Sequence, residues 1–242
     1  MENILLIIDP FLKQPSSDGI NVISNLHAKA MEEMGAIDSY IEVFFPSHPD
    51  GDVTLKDYFV KLDLRKKRVI GVISLGSYAN ITDHLDWVNI LSNDLKENVI
   101  EKGIPFLGIC FSHQLFAWMY GATIDFVENR ENIPGKKYNE FREISILHPR
   151  LKSIIGDIDS FISKAKHEQE VKKISGEYLE VACTSQHCKV EGLVHKEYPA
   201  FSIQSHPEEF HVKEGGWKFV KNFISYFILK SKENLGVYKS NL

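Results

Sequence analysis

The stretch Ile104-Pro105-Phe106-Leu107-Gly108-Ile109-Cys110-Phe111-Ser112-His113-Gln114 decides the fold. Its first part, Ile104 to Ile109, is a short apolar run without helical spacing, which predicts a buried strand. The stretch from Phe111 to Tyr120 predicts a helix, and Gly121 follows at the position where helices commonly end. Cys110 is therefore expected on a sharp turn between strand and helix, with its side chain exposed.

This position of Cys110 favours a reactive thiol. A free cysteine has a pKa of about 8.5, so only a few per cent of it is ionised at neutral pH. The unpaired N–H groups of a helix N-terminus favour the thiolate, and the amide of Phe111 would point at an oxyanion that develops on a substrate. A lone cysteine at a strand end is more often a small buried hydrophobe, so the interpretation depends on a partner elsewhere in the chain.

Such a partner follows a later apolar run. The residues from Ala200 to Gln204 predict a strand, His206 comes just after it, and Pro207 ends it by removing a donor. Glu208 lies two residues beyond His206, where its carboxylate can orient the imidazole. A lone His-Pro-Glu is usually a turn, but a cysteine and a histidine that each follow an apolar strand predict a Cys–His–Glu site for covalent acyl transfer.

Strands and helices alternate along the chain, which predicts an α/β fold with a largely parallel central sheet flanked by helices. Residues 1–242 are expected to form a single domain. The further predicted strands are Asn3–Ile8, Ile41–Phe45, Val69–Ile73, Glu143–Leu147 and Tyr178–Ala182. The further predicted helices are Ile20–Met34, one from Leu85 to near Gly103, a short one within 151–168, and one after Gly215-Gly216. Residues 126–140 are polar and predict a loop.

The composition argues against several classes of partner and cofactor. A formal net charge of −5 argues against nucleic acid. The apolar run Ile4–Ile8 stops at Asp9, too short for a signal peptide, and no run approaches the roughly 18 apolar residues of a membrane span. Three cysteines suit a reducing compartment, so a cytoplasmic location is expected. Cys183, His187 and Cys188 lack a second ligand pair, and no metal or other cofactor is predicted.

The two motifs resemble those of the class I glutamine amidotransferase family, the type with a catalytic triad. Gly108, Cys110 and Gln114 match the family motif G-x-C-x-G-x-Q in register, and the later H-P-E motif is complete. His113 is similar to the branch near the amidotransferase domain of GMP synthetase. The resemblance covers nearly the whole chain and implies a flavodoxin-like, three-layer arrangement.

The resemblance also implies a reaction and a role for each residue. Cys110 would attack the side-chain amide of glutamine, and a γ-glutamyl thioester would form as ammonia leaves. Water would then release glutamate. His206 would be the general base and acid, Glu208 its orienting group, and Gln114 a residue that helps to hold the substrate.

A second oxyanion donor is implied in a loop that follows a predicted strand. Ser74-Leu75-Gly76-Ser77 corresponds to the glycine loop of the family, and Gly76 is expected to supply the amide beside that of Phe111. The chain departs from the family here, since Leu75 stands where a double glycine is common. It also departs at the elbow, where Ser112 replaces the usual glycine and bears on the substrate more than on the nucleophile.

Two alternatives to glutamine hydrolysis stay open at this point. A free-standing hydrolase or transpeptidase that cleaves another γ-glutamyl peptide or amide would use the same thioester chemistry. Ser112, and the expectation that no acceptor domain is attached, favour that interpretation. The other alternative is a non-catalytic binding protein on the same fold. The expected partners are a small-molecule substrate (glutamine or another γ-glutamyl compound) and a separate synthetase or acceptor protein for the ammonia.

Overall fold

A central sheet with helices on both faces forms the body of the molecule. The computed structural model describes residues 1–12, 16–34, 39–47, 54–127, 140–156, 158–209 and 215–239. The strands within these ranges are β1 (Glu2–Ile8), β2 (Ser39–Phe44), β3 (Lys67–Ser74), β4 (Phe106–Ile109), β5 (Thr123–Phe126), β6 (Glu140–Ile146), β7 (Ser160–Ala165), β8 (Gln169–Lys173), β9 (Leu179–Thr184), β10 (Gly192–His195) and β11 (Ala200–Ile203). The α-helices there are α1 (Ser17–Glu33), α2 (Leu55–Leu64), α3 (Asp86–Leu95), α4 (Phe111–Trp118), α5 (Pro149–Ile155) and α6 (Gly216–Lys239).

The larger sheet has a parallel part and an antiparallel extension. Its strand order is β2-β1-β3-β4-β11-β10-β9-β6-β7. The first five strands are parallel, and the last four join them through antiparallel pairs. The parallel part has the flavodoxin-like order 2-1-3-4-5. Strands β5 and β8 form a separate antiparallel pair. The predicted α/β class is confirmed, whereas the sequence does not predict the antiparallel extension.

Alternate side chains of the central strands face two helix layers. Along β1, Leu5 and Ile7 pack in a core with residues of α1, α5 and α6. Leu6 and Ile8 point the other way and pack in a second core with residues of α2, α3 and α4. All four side chains are buried, as expected for a parallel strand that is covered on both faces.

Several predicted boundaries differ from the observed ones. The short helix predicted within 151–168 is confirmed as α5, which begins slightly earlier, at Pro149, and ends at Ile155. Residues 160–165 form β7, which the sequence does not predict. Helix α2 is not predicted at all. The loop predicted at 126–140 begins at the end of β5, and its residues 128–139 lie outside the described residues.

The ends of three neighbouring strands meet at one edge of the sheet. Ser74 of β3 pairs with Gly108 of β4, and Ile109 of β4 pairs with Ile203 of β11. The segments that follow these strands therefore emerge side by side, at the carboxyl ends where open α/β sheets hold their sites.

Helix α6 packs directly on Gly71 of β3, which gives a test of this layer. A Cβ at position 71 would lie 2.9 Å from the Cβ of the buried Phe227. We expect Gly71→Ala to lower the free energy of unfolding by about 1–3 kcal/mol, because the helix must move away from the sheet. Urea unfolding measures this change, with Val60→Ala as a control because Val60 of α2 is 56% exposed. A variant as stable as the parent would contradict the packing described.

Candidate active site

Cys110 lies on a strained turn between β4 and α4. Its φ is 54° and its ψ is −106°, a region that residues other than glycine rarely adopt. The backbone is held on both sides of the turn. The N–H of Cys110 donates to the carbonyl of Ile203 at 2.8 Å, and its carbonyl accepts from the N–H of His113 at 3.0 Å. This strand–turn–helix is the geometry of a nucleophile elbow.

The glycine before the elbow is required by close packing. A Cβ on Gly108 would lie 2.8 Å from the backbone oxygen of Ser112, an atom that cannot move without distorting α4. Gly108 therefore lets the first turn of the helix fold back against its own strand.

The imidazole of His206 lies beside the thiol of Cys110. A Cβ built on Gly76 would be 3.9 Å from Sγ of Cys110 and 3.1 Å from Cε1 of His206, so the three residues enclose one small space. The N–H of His206 donates to the carbonyl of Lys164 at 2.7 Å, which fixes the residue just past β11. Its Nδ1 is 2.7 Å from Oε1 of Glu208. Because a carboxylate accepts, Nδ1 carries the proton, and Nε2 is left to exchange a proton with the thiol.

The surroundings of His206 favour its charged form. Burial opposes a charge on the ring, but the charges of Cys110 and Glu208, together with hydrogen bonds to both, raise the pKa of His206 well above its ordinary value. The side chain of His206 is 12% exposed and that of Glu208 is 7% exposed. Little water reaches the pair, so the carboxylate acts on the ring with weak screening.

Two backbone amides near the thiol are candidates for binding an oxyanion. In the described part of the chain, neither the N–H of Gly76 nor that of Phe111 donates to another group. The loop that carries Gly76 is tied to β1 and the segment after it, since the N–H of Leu75 donates to the carbonyl of Ile8 at 2.9 Å. The hydroxyl of Ser77 also donates to a carbonyl of that segment, at 2.6 Å.

Two buried glutamines form a chain of amides behind the thiol. Nε2 of Gln114 donates to the carbonyl of Gln169 at 2.7 Å and to Oε1 of Gln204 at 3.2 Å. Nε2 of Gln204 in turn lies 3.9 Å from Sγ of Cys110. The sequence does not predict Gln204 as a site residue, because its position indicates only the end of a strand. The role of Gln114 in holding a substrate stays a prediction.

A cleft with about 330 Å³ of empty space, open solvent included, lies beside the elbow. It is lined by residues 77–80 after β3, by the elbow, and by residues 166–169 between β7 and β8. Of the predicted site residues, Cys110, Phe111 and Gln114 line the cleft, Gly76 adjoins Cys110 and His206, and Glu208 contacts the ring of His206. The sequence does not predict that residues 166–169 contribute to the cleft.

All three cysteines are buried, so the expected exposure of the Cys110 side chain is wrong, although Cys110 lines the cleft. Cys183 and Cys188 are both buried, and burial raises the pKa of each thiol above its ordinary range. No group of three or more His, Cys, Asp or Glu side chains is arranged to hold a metal ion within the described ranges. Among the helices that the structure describes, none is both long and apolar enough to span a membrane.

The contact between Glu208 and His206 predicts a measurable pKa change. We expect Glu208→Gln to lower the pKa of His206, because a neutral amide no longer stabilises the charged ring. NMR titration of the His206 ring in the parent and the variant measures this shift. Glu180→Gln is the control, since that carboxylate contacts His148 instead, at 2.9 Å. An unchanged His206 pKa in Glu208→Gln would refute the orienting role of Glu208.

The chain is similar to GMP synthases over part of their length. One subunit of the glutamine-hydrolyzing GMP synthase of Methanopyrus kandleri is 35% identical over 120 residues, which cover 50% of this chain and 59% of the relative. The same subunit of Methanothermobacter thermautotrophicus is 35% identical over 125 residues, covering 51% and 62%. The GMP synthase of Francisella philomiragia is 27% identical over 209 residues, covering 83% and 33%. The chain thus spans about three fifths of the length of the two subunits.

Solved structures share the fold. A candidate GMP synthase subunit from Thermoplasma acidophilum superposes with a TM-score of 0.66 at 19% identity, covering 97% of this chain and 98% of that one. The glutaminase domain of Trypanosoma brucei CTPS has a TM-score of 0.66 at 13% identity, covering 96% and 94%. At such identities the likeness concerns the fold alone.

The family model described as glutamine amidotransferase class-I matches residues 89–226, more than half of the chain. The matched range includes the elbow at Cys110 and the segment His206-Pro207-Glu208. By this match the chain belongs to the class I glutamine amidotransferase family.

Proposed function

We propose that this chain hydrolyses the side-chain amide of glutamine through a thioester on Cys110, releasing ammonia and glutamate. The observation that carries the proposal is the adjacency of the Cys110 thiol, the His206 imidazole and the Glu208 carboxylate at one edge of the sheet. Membership of the family supports glutamine as the substrate. Two of the relatives are named as glutamine-hydrolyzing GMP synthases, and these names support the same substrate.

In the first half of the reaction, the proton of the Cys110 thiol passes to Nε2 of His206, and the resulting thiolate attacks the amide carbon. The carbonyl oxygen becomes an oxyanion, which accepts from the N–H groups of Gly76 and Phe111. One such donor typically contributes about 10²–10³ in kcat. The intermediate then collapses as the C–N bond breaks and the imidazolium protonates the leaving nitrogen. Ammonia departs, and a γ-glutamyl thioester remains on the enzyme.

In the second half, His206 takes a proton from water, and the resulting hydroxide attacks the thioester carbon. The C–S bond breaks, the sulfur regains a proton from the imidazolium, and glutamate leaves. Glu208 stabilises the charged ring in both halves and holds it in one tautomer. The sum of the two halves is glutamine plus water giving glutamate plus ammonia.

The cleft supports a small zwitterionic substrate. Lys166 and Glu168, which differ in charge, both line it, and Nζ of Lys166 also lies 3.7 Å from Oε1 of Glu209. An amino acid such as glutamine carries one charge of each sign at its α-carbon, so these two side chains match its polar end.

We also propose that the ammonia passes to a separate synthetase or acceptor protein. Two of the relatives are named as one subunit of a GMP synthase. The site architecture accounts for release of ammonia, and a second protein would supply the group that accepts it.

The alternative substrate class, γ-glutamyl peptides or amides, is favoured by the expectation that no acceptor domain is attached and by Ser112. Its hydroxyl is fully buried and bonded to the carbonyl of Leu75, so it does not line the cleft. The serine therefore gives no reason to expect a pocket enlarged for a peptide. A substrate panel still distinguishes the two reactions directly.

Loss of the thiol provides the first test of the proposal. We expect Cys110→Ala to lower the release of ammonia from glutamine by at least about 10³-fold, because the covalent route is closed. We expect its thermal unfolding to match that of the parent. Cys183→Ala is the matched control and should retain turnover, since this buried cysteine is not one of the residues that line the cleft. His206→Ala should be more damaging than Glu208→Gln, because the first removes proton transfer and the second only orientation.

The same assays decide between the alternatives. Ammonia release that persists in Cys110→Ala would refute the assigned nucleophile. Faster cleavage of γ-glutamyl peptides or amines than of glutamine would replace the proposed substrate. A glutamine-analogue electrophile that fails to label Cys110 in the folded parent, read by peptide mass spectrometry, would favour the non-catalytic binding protein.

A further inference from the structure

The two residues at which this chain departs from the family motifs contact each other. Oγ of Ser112 lies 2.6 Å from the carbonyl oxygen of Leu75 and 2.7 Å from Oγ of Ser74. All three residues are buried. A carbonyl can only accept, so the single hydroxyl proton of Ser112 goes to Leu75, and Ser74 must donate to Ser112. The result is a directed chain of hydrogen bonds from Ser74 through Ser112 to Leu75.

This chain ends on the peptide unit that contains the predicted oxyanion donor. The carbonyl of Leu75 and the N–H of Gly76 belong to one planar unit, and no cis peptide bond occurs among the described residues. The N–H of Gly76 therefore points opposite to the carbonyl that Ser112 holds. The preceding unit is fixed separately, because the N–H of Leu75 donates to the carbonyl of Ile8 at 2.9 Å.

Without the hydrogen bond from Ser112, the peptide unit between Leu75 and Gly76 would rotate at a low cost in free energy. Rotation changes φ of residue 76, and glycine accepts values of either sign. The rotated unit would present the oxygen of Leu75 in place of the N–H of Gly76. Gly76 adjoins both Sγ of Cys110 and the ring of His206. A carbonyl oxygen there would repel an oxyanion instead of binding it.

We propose that Ser112 is a positioning residue that locks the Leu75–Gly76 peptide with the Gly76 N–H available to the oxyanion. Ser74 supports it, because each hydroxyl in the chain polarises the next. The inference rests on the proposed function, since an oxyanion forms only when Cys110 attacks an acyl group. The glycine usual in the family at this position has no hydroxyl, so the lock is a property of this chain.

The test compares variants that remove or keep the hydroxyl. We expect Ser112→Ala to lower kcat for glutamine about tenfold with KM changed less than about twofold, as for loss of one buried hydrogen bond that matters in the transition state. Ser112→Thr keeps a hydroxyl and should recover most of the rate. Ser74→Ala should cost less than Ser112→Ala, because the bond from Ser112 to Leu75 survives. Ser231→Ala is the matched control, since this buried serine donates to the carbonyl of Ile228 at 2.8 Å in α6.

A second readout separates oxyanion binding from damage to the thiol. Iodoacetamide alkylates a cysteine at a saturated carbon and forms no oxyanion, whereas 4-nitrophenyl acetate acylates it through one. In Ser112→Ala we expect iodoacetamide to alkylate Cys110 at the parent rate, which peptide mass spectrometry measures. We expect 4-nitrophenyl acetate to acylate Cys110 about tenfold more slowly, which the single-turnover release of 4-nitrophenol measures.

Each remaining outcome overturns the inference. Equal acylation rates in Ser112→Ala and the parent would show that no lock exists. Alkylation and acylation that fall together would show that Ser112 acts on the thiol or on the fold. Because the acylation assay does not use glutamine, the inference is tested even when the parent fails to hydrolyse glutamine, a result that would refute only the proposed function.

Discussion

The alignment of β3, β4 and β11 is the constraint on which the site depends. Parallel pairing places Ser74 opposite Gly108 and Ile109 opposite Ile203, so three distant segments of the chain end at one edge. The hydrogen bond from the N–H of Cys110 to Ile203 continues the β4–β11 pairing one step past the strand. The thiol is thus placed by the sheet itself, and helices on both faces leave that edge open to a ligand.

Strain at the elbow is held in place by hydrogen bonding instead of by side-chain bulk. The positive φ of Cys110 is unfavourable for a residue with a Cβ, but both its N–H and its carbonyl are bonded within the protein. The turn cannot relax without breaking these bonds and separating α4 from the sheet. Rigidity of this kind suits a nucleophile, because the position of sulfur relative to the amides around it stays fixed as charge develops.

The sequence predicts the elbow, the His-Pro-Glu segment and the parallel core because each has a local signal: an apolar run, a glycine or a proline. It does not predict β7. The buried side chains of this strand are Phe161, Ser163 and Ala165, and because two of them are small or polar, the alternation of apolar and polar residues is weak. The contact between Leu75 and Ser112 cannot be predicted from the sequence for another reason. It joins residues far apart in the chain, and each looks like an isolated departure until the sheet brings them together.

The histidines around the elbow differ in pKa because their surroundings differ. Burial lowers the pKa of His113 to about 3, and its ring bonds the hydroxyl of Ser202 and the carbonyl of Val190. Burial, with the charge of Arg142, likewise lowers the pKa of His167 to about 3. These two rings stay neutral at physiological pH, whereas the pKa of His206 is raised by neighbouring negative charge. This difference supports the proposed acid–base role of His206, and the other two rings are neutral groups that pack around the elbow and the cleft.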